Sequence, residues 1–359
     1  MFNAKQYKLI IIAVVSISLL LTGCSESSAP NLSTSNNNEI PNSNEVNLFT
    51  TRHYDTDQML FDIFESETGI KVNVVNAGAD ELLERLNLEG EDTIADALIT
   101  VDVGRLNAAK ERDLLQAVES EVLFNNIPDQ LRDNNNTWFG LTKRARVIVY
   151  SPDRVNLSEL STYEALTEPQ WNGRVATRTS SNIYNISLMA SFIEIWGEDK
   201  ALSWAISLNE NLAREPQGND RDQATAVASG VADVAIMNTY YIGGMLNSAN
   251  EEERKVANSL SIFFPNQDTD GTHINVSGIA MTKHAKNPDN ALKLMEFLSG
   301  EQAQKLFAEA NNEFPANPNV KWSGWIESLG EFKEQSIDLT VLGDNHNKAI
   351  MIWNKAGFR

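Results

Sequence analysis

After its first 45 residues the chain alternates short apolar segments, typical of β-strands, with amphipathic segments, typical of helices. The first unit predicts a strand over residues 46–51, a helix that Gly69 ends, and a second strand over residues 70–75. A second run of the same kind begins at about residue 146. Chains with this pattern form open sheets flanked by helices. The sequence therefore predicts an α/β protein built from two such runs.

Composition narrows the classes of function. The 359 residues include 29 Lys and Arg against 49 Asp and Glu, which gives a formal net charge of −20. A body this acidic repels nucleic acid phosphates and anionic lipid headgroups, so nucleic acid is not an expected partner. The single cysteine, Cys24, excludes a disulfide or a thiolate metal cluster within one chain. Any bound metal is therefore expected to have oxygen and nitrogen ligands.

The N-terminus has the features of an export signal. Two lysines within the first eight residues precede an uncharged apolar stretch, residues 9–21, which is shorter than the about 20 residues that span a bilayer. The segment Leu21-Thr22-Gly23-Cys24 looks like a bacterial lipobox, in which the cysteine is lipidated and becomes the first residue of the mature chain. Residues 1–23 are therefore predicted to be a lipoprotein signal peptide.

Residues 24–45 are predicted to form a flexible tether. Of the 21 residues from 25 to 45, 12 are Ser or Asn, and such a composition cannot bury a core. The body of the protein is therefore expected in the periplasm, held at a membrane by lipid on Cys24.

The sequence also predicts the structure of three further segments. Residues 139–142 and 275–281 are predicted to cross between two lobes, and the acidic run at residues 251–253 is interpreted as a solvated turn. Asp55 or Thr56 is expected to cap the first helix.

Four of the seven tyrosines stand where a strand ends and a helix begins. Tyr54 lies in a strand-to-helix turn and Tyr184 at the start of a long helix. Tyr240 and Tyr241 begin a helix that follows a buried strand. Adjacent tyrosines often serve only in packing, but open α/β sheets bind their ligands at these strand ends. The shared position of the four residues therefore indicates a binding site.

Several short segments, specific only in combination, resemble one family. They are Val276-Ser277-Gly278-Ile279-Ala280, Phe297-Leu298-Ser299-Gly300-Glu301-Gln302-Ala303-Gln304, Asn312-Glu313-Phe314-Pro315, Arg52-His53-Tyr54-Asp55-Thr56-Asp57, Gly140-Leu141-Thr142-Lys143-Arg144-Ala145-Arg146 and Asn238-Thr239-Tyr240-Tyr241. Together they resemble the cyanobacterial FutA/IdiA-type ferric-binding proteins of ABC importers, within the bacterial extracellular solute-binding protein family. The resemblance covers nearly all of the chain after residue 45.

The resemblance implies a two-lobe periplasmic-binding-protein fold of type II, with mixed sheets flanked by helices and two crossing hinge strands. Its lobes would close over a ligand by a hinge motion. Residues 46–141 and 275–318 are assigned to the first lobe, and residues 142–274 and 319–359 to the second.

The resemblance also implies the site. Tyr54, Tyr184, Tyr240 and Tyr241 are its iron ligands, and His53 is a fifth ligand that supplies a neutral nitrogen. Fe³⁺ is a hard cation that prefers anionic oxygen, and it can hold a phenol as phenolate at neutral pH. Protonated phenols together with a histidine would also admit Fe²⁺.

Four phenolates on Fe³⁺ leave one negative charge, which a nearby cation would balance. Arg144, by resemblance, and Arg52 are the arginines expected just outside the ligands. Some relatives add a carboxylate from the first lobe and a bound anion. No residue of this chain matches that carboxylate, so the expected site is made of protein ligands alone.

Nothing in the sequence predicts an enzyme. It contains no nucleophile elbow, zinc-protease motif or phosphate loop, and Ser180 and Ser181 have no evident histidine base. Tyr150 and Tyr163 are expected to be structural, and the tryptophans to pack in the core or the lobes. The histidines at positions 273, 284 and 346 are expected to be surface residues or hydrogen-bonded polar residues.

The resulting interpretation is a monomeric, lipid-anchored protein that captures Fe³⁺ and delivers it to an ABC permease and its ATPase. Three alternatives stay open: the same scaffold binding a sugar or polyamine, a hydrolase that uses the cleft, and an iron-sequestering protein that is not coupled to transport.

Overall fold

The computed structural model of the protein describes residues 44–358. The predicted signal peptide, Cys24 and nearly all of the predicted tether lie outside these residues. Within residues 44–358, none of the helices has the length and apolar character needed to cross a membrane.

The strands form a mixed hydrogen-bonded path in the order β2-β1-β3-β9-β5-β7-β6, with β4 paired to β9 and with β8 and β10 paired to β5. Their bounds are β1 Glu45–Thr50, β2 Lys71–Asn76, β3 Ala97–Thr100, β4 Leu115–Gln116, β5 Phe139–Tyr150, β6 Val175–Ala176, β7 Val234–Asn238, β8 Ser261–Phe263, β9 Ile274–Thr282 and β10 Phe314–Pro315. Strand β1 is parallel to β2 and β3, whereas β9 and β7 run antiparallel to β5.

Helices flank these strands, as the alternation in the sequence predicts. Their bounds are α1 Asp55–Thr68, α2 Ala79–Glu89, α3 Val103–Glu111, α4 Glu121–Asn126, α5 Ile183–Trp196, α6 Glu198–Glu210, α7 Asp220–Ala228, α8 Thr239–Leu246, α9 Glu251–Asn258, α10 Pro288–Ser299, α11 Glu301–Asn311, α12 Gly324–Ser328, α13 Val341–Asp344 and α14 His346–Lys355.

Two local expectations at helix starts are wrong. The residue before α1 is Tyr54, which makes no side-chain capping hydrogen bond, and Asp55 already lies inside the helix. The acidic run at residues 251–253 is the first turn of α9, where Asn250 accepts a hydrogen bond from the backbone N–H of Glu252. In both helices the acidic side chains lie at the positive end of the helix dipole, which stabilises them there.

The two stretches predicted to cross between lobes are parts of β5 and β9, which pair with each other. Gly140 lies opposite Gly278 in this pairing, and the register shifts between Gly140 and Thr142. A Cβ atom on Gly278 would lie 2.7 Å from Leu106 Cδ1 and 2.7 Å from the Phe139 carbonyl oxygen. The close approach of β5 and β9 at this point therefore requires a glycine at position 278, while a Cβ atom on Gly140 would lie 2.8 Å from the Leu131 carbonyl oxygen.

Strand β5 continues beyond this crossing. Its first half pairs with β9, and its second half, from Arg146, pairs with β7. A single strand thus links the group β1–β3 and β9 to the group β6–β8. The assignment of these groups to two lobes with the predicted boundaries stays a prediction.

Aromatic side chains fill much of the core around these strands. Trp171 is fully buried and Trp204 nearly so, and the ring of Trp196 stacks on Phe192 with centroids 4.0 Å apart. These contacts confirm the expectation that the tryptophans serve in packing.

Candidate metal centre

The structure places the four tyrosines where the sequence predicts them. Tyr54 stands between the end of β1 and the start of α1, and Tyr184 is the second residue of α5. Tyr240 and Tyr241 lie in the first turn of α8, directly after β7. Each side chain is thereby presented from the start of a helix.

These tyrosines and His53 line one cavity of about 420 Å³. The hydroxyl oxygens of Tyr184 and Tyr240 are 3.1 Å apart, although the residues are 56 positions apart in the chain. The rings of Tyr240 and Tyr241 stack with centroids 4.3 Å apart, and His53 stacks on Tyr54 at 5.6 Å. The structure therefore brings all five predicted ligands to one place, while their role as ligands stays a prediction.

Three of the tyrosines that line this cavity have a raised pKa. Burial raises the pKa of Tyr240 well above its usual value, and negative charge on Tyr184, Tyr54 or Tyr241 would raise it further. Burial, followed by the charge of Glu313, also raises the pKa of Tyr54. Burial and the nearby Tyr184 raise the pKa of Tyr241 to about 12. The cluster thus disfavours phenolate unless a cation is present.

Arg52 is buried beneath Tyr54 in a double ion pair. Its Nε lies 3.0 Å from Asp57 Oδ2 and its Nη1 lies 3.1 Å from Glu313 Oε2. Burial would lower the pKa of Arg52, but the negative charges of Glu313 and Asp57 outweigh it and raise this pKa. The guanidinium carbon is also 4.9 Å from the centroid of the Tyr54 ring. Arg52 therefore supports Tyr54, but two carboxylates already balance its charge.

Replacing Arg52 by Met is expected to lower the free energy of unfolding of the iron-free protein by about 3–5 kcal/mol, because Asp57 and Glu313 stay buried without their partner charge. Urea denaturation measures this loss. The control is Arg112→Met, which breaks an exposed ion pair with Glu84 and should cost at most about 1 kcal/mol. Equal losses in the two variants would contradict the expectation.

Arg144 has fewer competing charges around it than Arg52. It is 2% exposed and donates hydrogen bonds to Ser277 Oγ at 2.8 Å and to the Val276 carbonyl at 3.3 Å. The nearest ion-pair partner is Asp102, at 3.9 Å. Its guanidinium carbon lies 5.5 Å from the centroid of the Tyr184 ring. Of the two predicted arginines, Arg144 is thus better placed to offset negative charge in the cavity.

Two further arginines near Tyr184 were not expected from the sequence. The guanidinium carbons of Arg146 and Arg178 lie 5.8 Å and 5.3 Å from the centroid of its ring. A signal for Arg146 was present, because alternate residues of a strand share a face and Arg144 and Arg146 are two positions apart on β5. No comparable pattern marks Arg178, which lies in the loop before α5.

Two residues predicted to lie outside the site, Tyr163 and His273, make contacts within the core of the protein. Tyr163 is fully buried and donates a hydrogen bond from its hydroxyl to the Arg146 carbonyl. His273 is buried, with its Nδ1 3.1 Å from Gln335 Oε1. Across residues 44–358, no three His, Cys, Asp or Glu side chains are grouped so as to hold a metal ion.

Comparison with known proteins identifies relatives along almost the whole chain. Iron uptake protein A1 from Synechocystis is 46% identical over 347 residues, which make up 96% of this chain and 95% of the relative. The structure of IdiA (FutA) from Trichodesmium, in complex with iron and citrate ligands, has a TM-score of 0.85 and 44% identity, covering 88% of this chain and all of that one. Apo FutA2 from Synechocystis gives a TM-score of 0.84 at 42% identity, with coverage of 88% and 100%.

These likenesses confirm the expected mixed α/β periplasmic-binding-protein fold. The family model for bacterial extracellular solute-binding proteins matches residues 59–334. Membership of a solute-binding family also confirms that binding, rather than catalysis, is the task of the chain. The chain belongs to the bacterial extracellular solute-binding protein family and, within it, to the FutA/IdiA-type ferric-binding proteins.

Proposed function

We propose that this protein binds Fe³⁺ in the tyrosine-lined cavity and delivers it to an ABC permease with its ATPase. The observation that carries the proposal is the convergence of four phenols on one cavity, with Tyr184 Oη and Tyr240 Oη 3.1 Å apart. Relatives named for iron support it, including iron uptake protein A1 and the major ferric iron-binding protein of Neisseria, which is 25% identical over 322 residues.

Fe³⁺ would bind through the phenol oxygens of Tyr54, Tyr184, Tyr240 and Tyr241, with His53 as a neutral nitrogen donor. A trivalent cation would offset the repulsion and desolvation that raise the pKa of Tyr54, Tyr240 and Tyr241, so that these phenols would give up their protons on binding. Four phenolates on Fe³⁺ carry one net negative charge. The buried guanidinium of Arg144 lies nearby to offset it.

Capture and release would depend on movement between the two predicted lobes. Tyr54 and His53 follow β1, whereas Tyr184, Tyr240 and Tyr241 belong to helices next to β6 and β7. Closure would bring these two ligand sets around the ion, and opening at the permease would separate them. The paired strands β5 and β9 are the expected hinge.

We further propose that the protein is monomeric, lies in the periplasm and is anchored to a membrane by lipid on Cys24. A flexible tether of about 20 residues would have a mean end-to-end reach of about 25 Å, since reach grows as about 5–6 Å times the square root of residue number. This reach would keep the binding body close to a membrane permease while leaving it free to rotate.

Titration of the purified iron-free protein with ferric nitrilotriacetate tests the proposal. We expect a visible phenolate-to-iron charge-transfer band that saturates at one iron per chain, both with and without added citrate. Absence of the band in both conditions would contradict the proposal. Calorimetry with sugars and polyamines tests the organic-solute alternative, and growth under iron limitation with and without the permease separates delivery from sequestration.

A further inference from the structure

Arg146 lies where the chain segments that carry three of the tyrosines come together. It is on β5, it is 2% exposed, and it belongs to the largest fully buried side chains among the described residues. Its guanidinium reaches the first residue of α7, Asp220, a residue of α5, Asn185, and the last residue of β7, Asn238. One side chain thus joins three separate elements behind the cavity.

The contacts use both terminal nitrogens of the guanidinium. Nη1 donates to the two carboxylate oxygens of Asp220, each at 3.2 Å, and to Asn238 Oδ1 at 3.3 Å. Nη2 donates to Asn185 Oδ1 at 2.8 Å. Because the guanidinium is planar and rigid, these acceptors are held in fixed positions relative to one another.

The acceptors are close neighbours of the tyrosines in the chain. Asn185 directly follows Tyr184, and Asn238 is two residues before Tyr240. Arg146 therefore connects the backbone that carries Tyr184 to the backbone that carries Tyr240, whose hydroxyl oxygens are 3.1 Å apart.

Arg146 is itself held firmly by its main chain. Its N–H donates to the His273 carbonyl at 2.9 Å, its carbonyl accepts from the Tyr163 hydroxyl, and it pairs with Asn238 across β5 and β7. Asp220 has no exposed surface and also accepts a hydrogen bond from the backbone N–H of Asn238 at 3.3 Å. The two terminal nitrogens of Arg146 are thus fully engaged, whereas Arg146 Nε and Asn238 Nδ2 are buried without a hydrogen-bond partner.

We propose that Arg146 is a positioning residue of the iron site, which sets the separation between Tyr184 and the pair Tyr240 and Tyr241. The inference rests on the proposed function and deepens it. Lys cannot replace Arg146 in this role, because an ammonium group is a point charge without a planar fork. Loss of partners that orient metal ligands typically lowers metal affinity by about 10- to 100-fold.

The test compares Arg146→Lys with the wild-type protein and with Arg174→Lys as a matched control. Arg174 pairs with Asp233 at 2.6 Å, just before β7 and thus at the opposite end of that strand from Asn238. Competition with nitrilotriacetate measures Fe³⁺ affinity, and visible spectroscopy gives the position of the charge-transfer band. We expect Arg146→Lys to bind about 10- to 100-fold more weakly with a shifted band, and Arg174→Lys to match the wild type in both.

A second variant, Asn238→Ala, keeps the inference testable if Arg146→Lys does not fold. Asn238 makes no capping hydrogen bond with its side chain, and its Oδ1 accepts from Arg146. We expect a smaller loss of affinity in the same direction. Where Arg146→Lys folds, we also expect a loss in the double variant that is less than the product of the two single losses.

The outcomes separate the two proposals. A wild-type protein without the band contradicts the proposed function and, with it, the role of Arg146. If the wild type binds iron and folded Arg146→Lys or Asn238→Ala keeps the same affinity and band, only the positioning role is overturned.

Discussion

A Tyr240→Phe variant will bind Fe³⁺ about 100- to 1,000-fold more weakly than the wild-type protein and will lose part of its visible band. The change removes a single hydroxyl, whose oxygen lies 3.1 Å from Tyr184 Oη. Structural Zn²⁺ binds zinc-finger peptides through four ligands with about 10–16 kcal/mol, so one ligand is worth about 2.5–4 kcal/mol, or about two to three decades of affinity. The phenyl ring keeps its stacking on Tyr241, so the fold should be unaffected.

The measurement is competition with nitrilotriacetate, followed at the charge-transfer band. Tyr150→Phe is the control, because it removes the same hydroxyl from a buried tyrosine at the end of β5 that does not line the cavity. The control should bind like the wild type. Equal affinity in the two variants would show that Tyr240 is not a ligand.

Iron affinity will fall steeply as the pH is lowered from 8 to 6. Burial raises the pKa of Tyr54, Tyr240 and Tyr241 above their ordinary value, so all three are protonated in the iron-free protein over this range. Each must release its proton to bind Fe³⁺, which changes the affinity by about one decade per pH unit for each phenol. The three together predict about three decades per pH unit, with tighter binding at higher pH.

Two measurements check this slope. Competition against a chelator of known pH dependence gives the affinity at each pH, and an indicator dye in weak buffer counts the protons released as iron binds. The Tyr240→Phe variant should release one proton fewer per iron than the wild type. An affinity that is constant between pH 6 and 8 would contradict phenolate ligation.

Much of the fold follows from local signals in the sequence. The first helix ends at Gly69 as predicted, because this glycine adopts the left-handed conformation, with φ 70°, that closes α1. The position of the tyrosines at strand-to-helix junctions was predictable from such local signals. The start of α9 was mispredicted because an acidic run suits a solvated turn as well as the first turn of a helix. The start of α1 was mispredicted because Asp55 suits the capping position as well as the first helical turn.

The partners of the buried arginines could not be predicted from the sequence. Arg52 and Glu313 are 261 positions apart, and Arg146 and Asp220 are 74 apart. Neither pair has a spacing that a helix or strand period would reveal. The first pair meets because α1 packs against α11, and the second because α7 packs against β5. Only the folded chain shows which carboxylate accompanies which guanidinium.

The glycine crossing of β5 and β9 has a mechanical consequence. A strand of 12 residues extends about 40 Å, and it enters both groups of strands without a break. At Gly140 and Gly278 the surroundings are tightly packed, since a Cβ atom would lie 2.8 Å from the Leu131 carbonyl oxygen or 2.7 Å from the Phe139 carbonyl oxygen. Arg144 and Arg146 lie a few residues along the same strand, β5. A change in the twist of β5 would therefore move both guanidiniums together with the strand, and with them the positive charge that lies next to the Tyr184 ring.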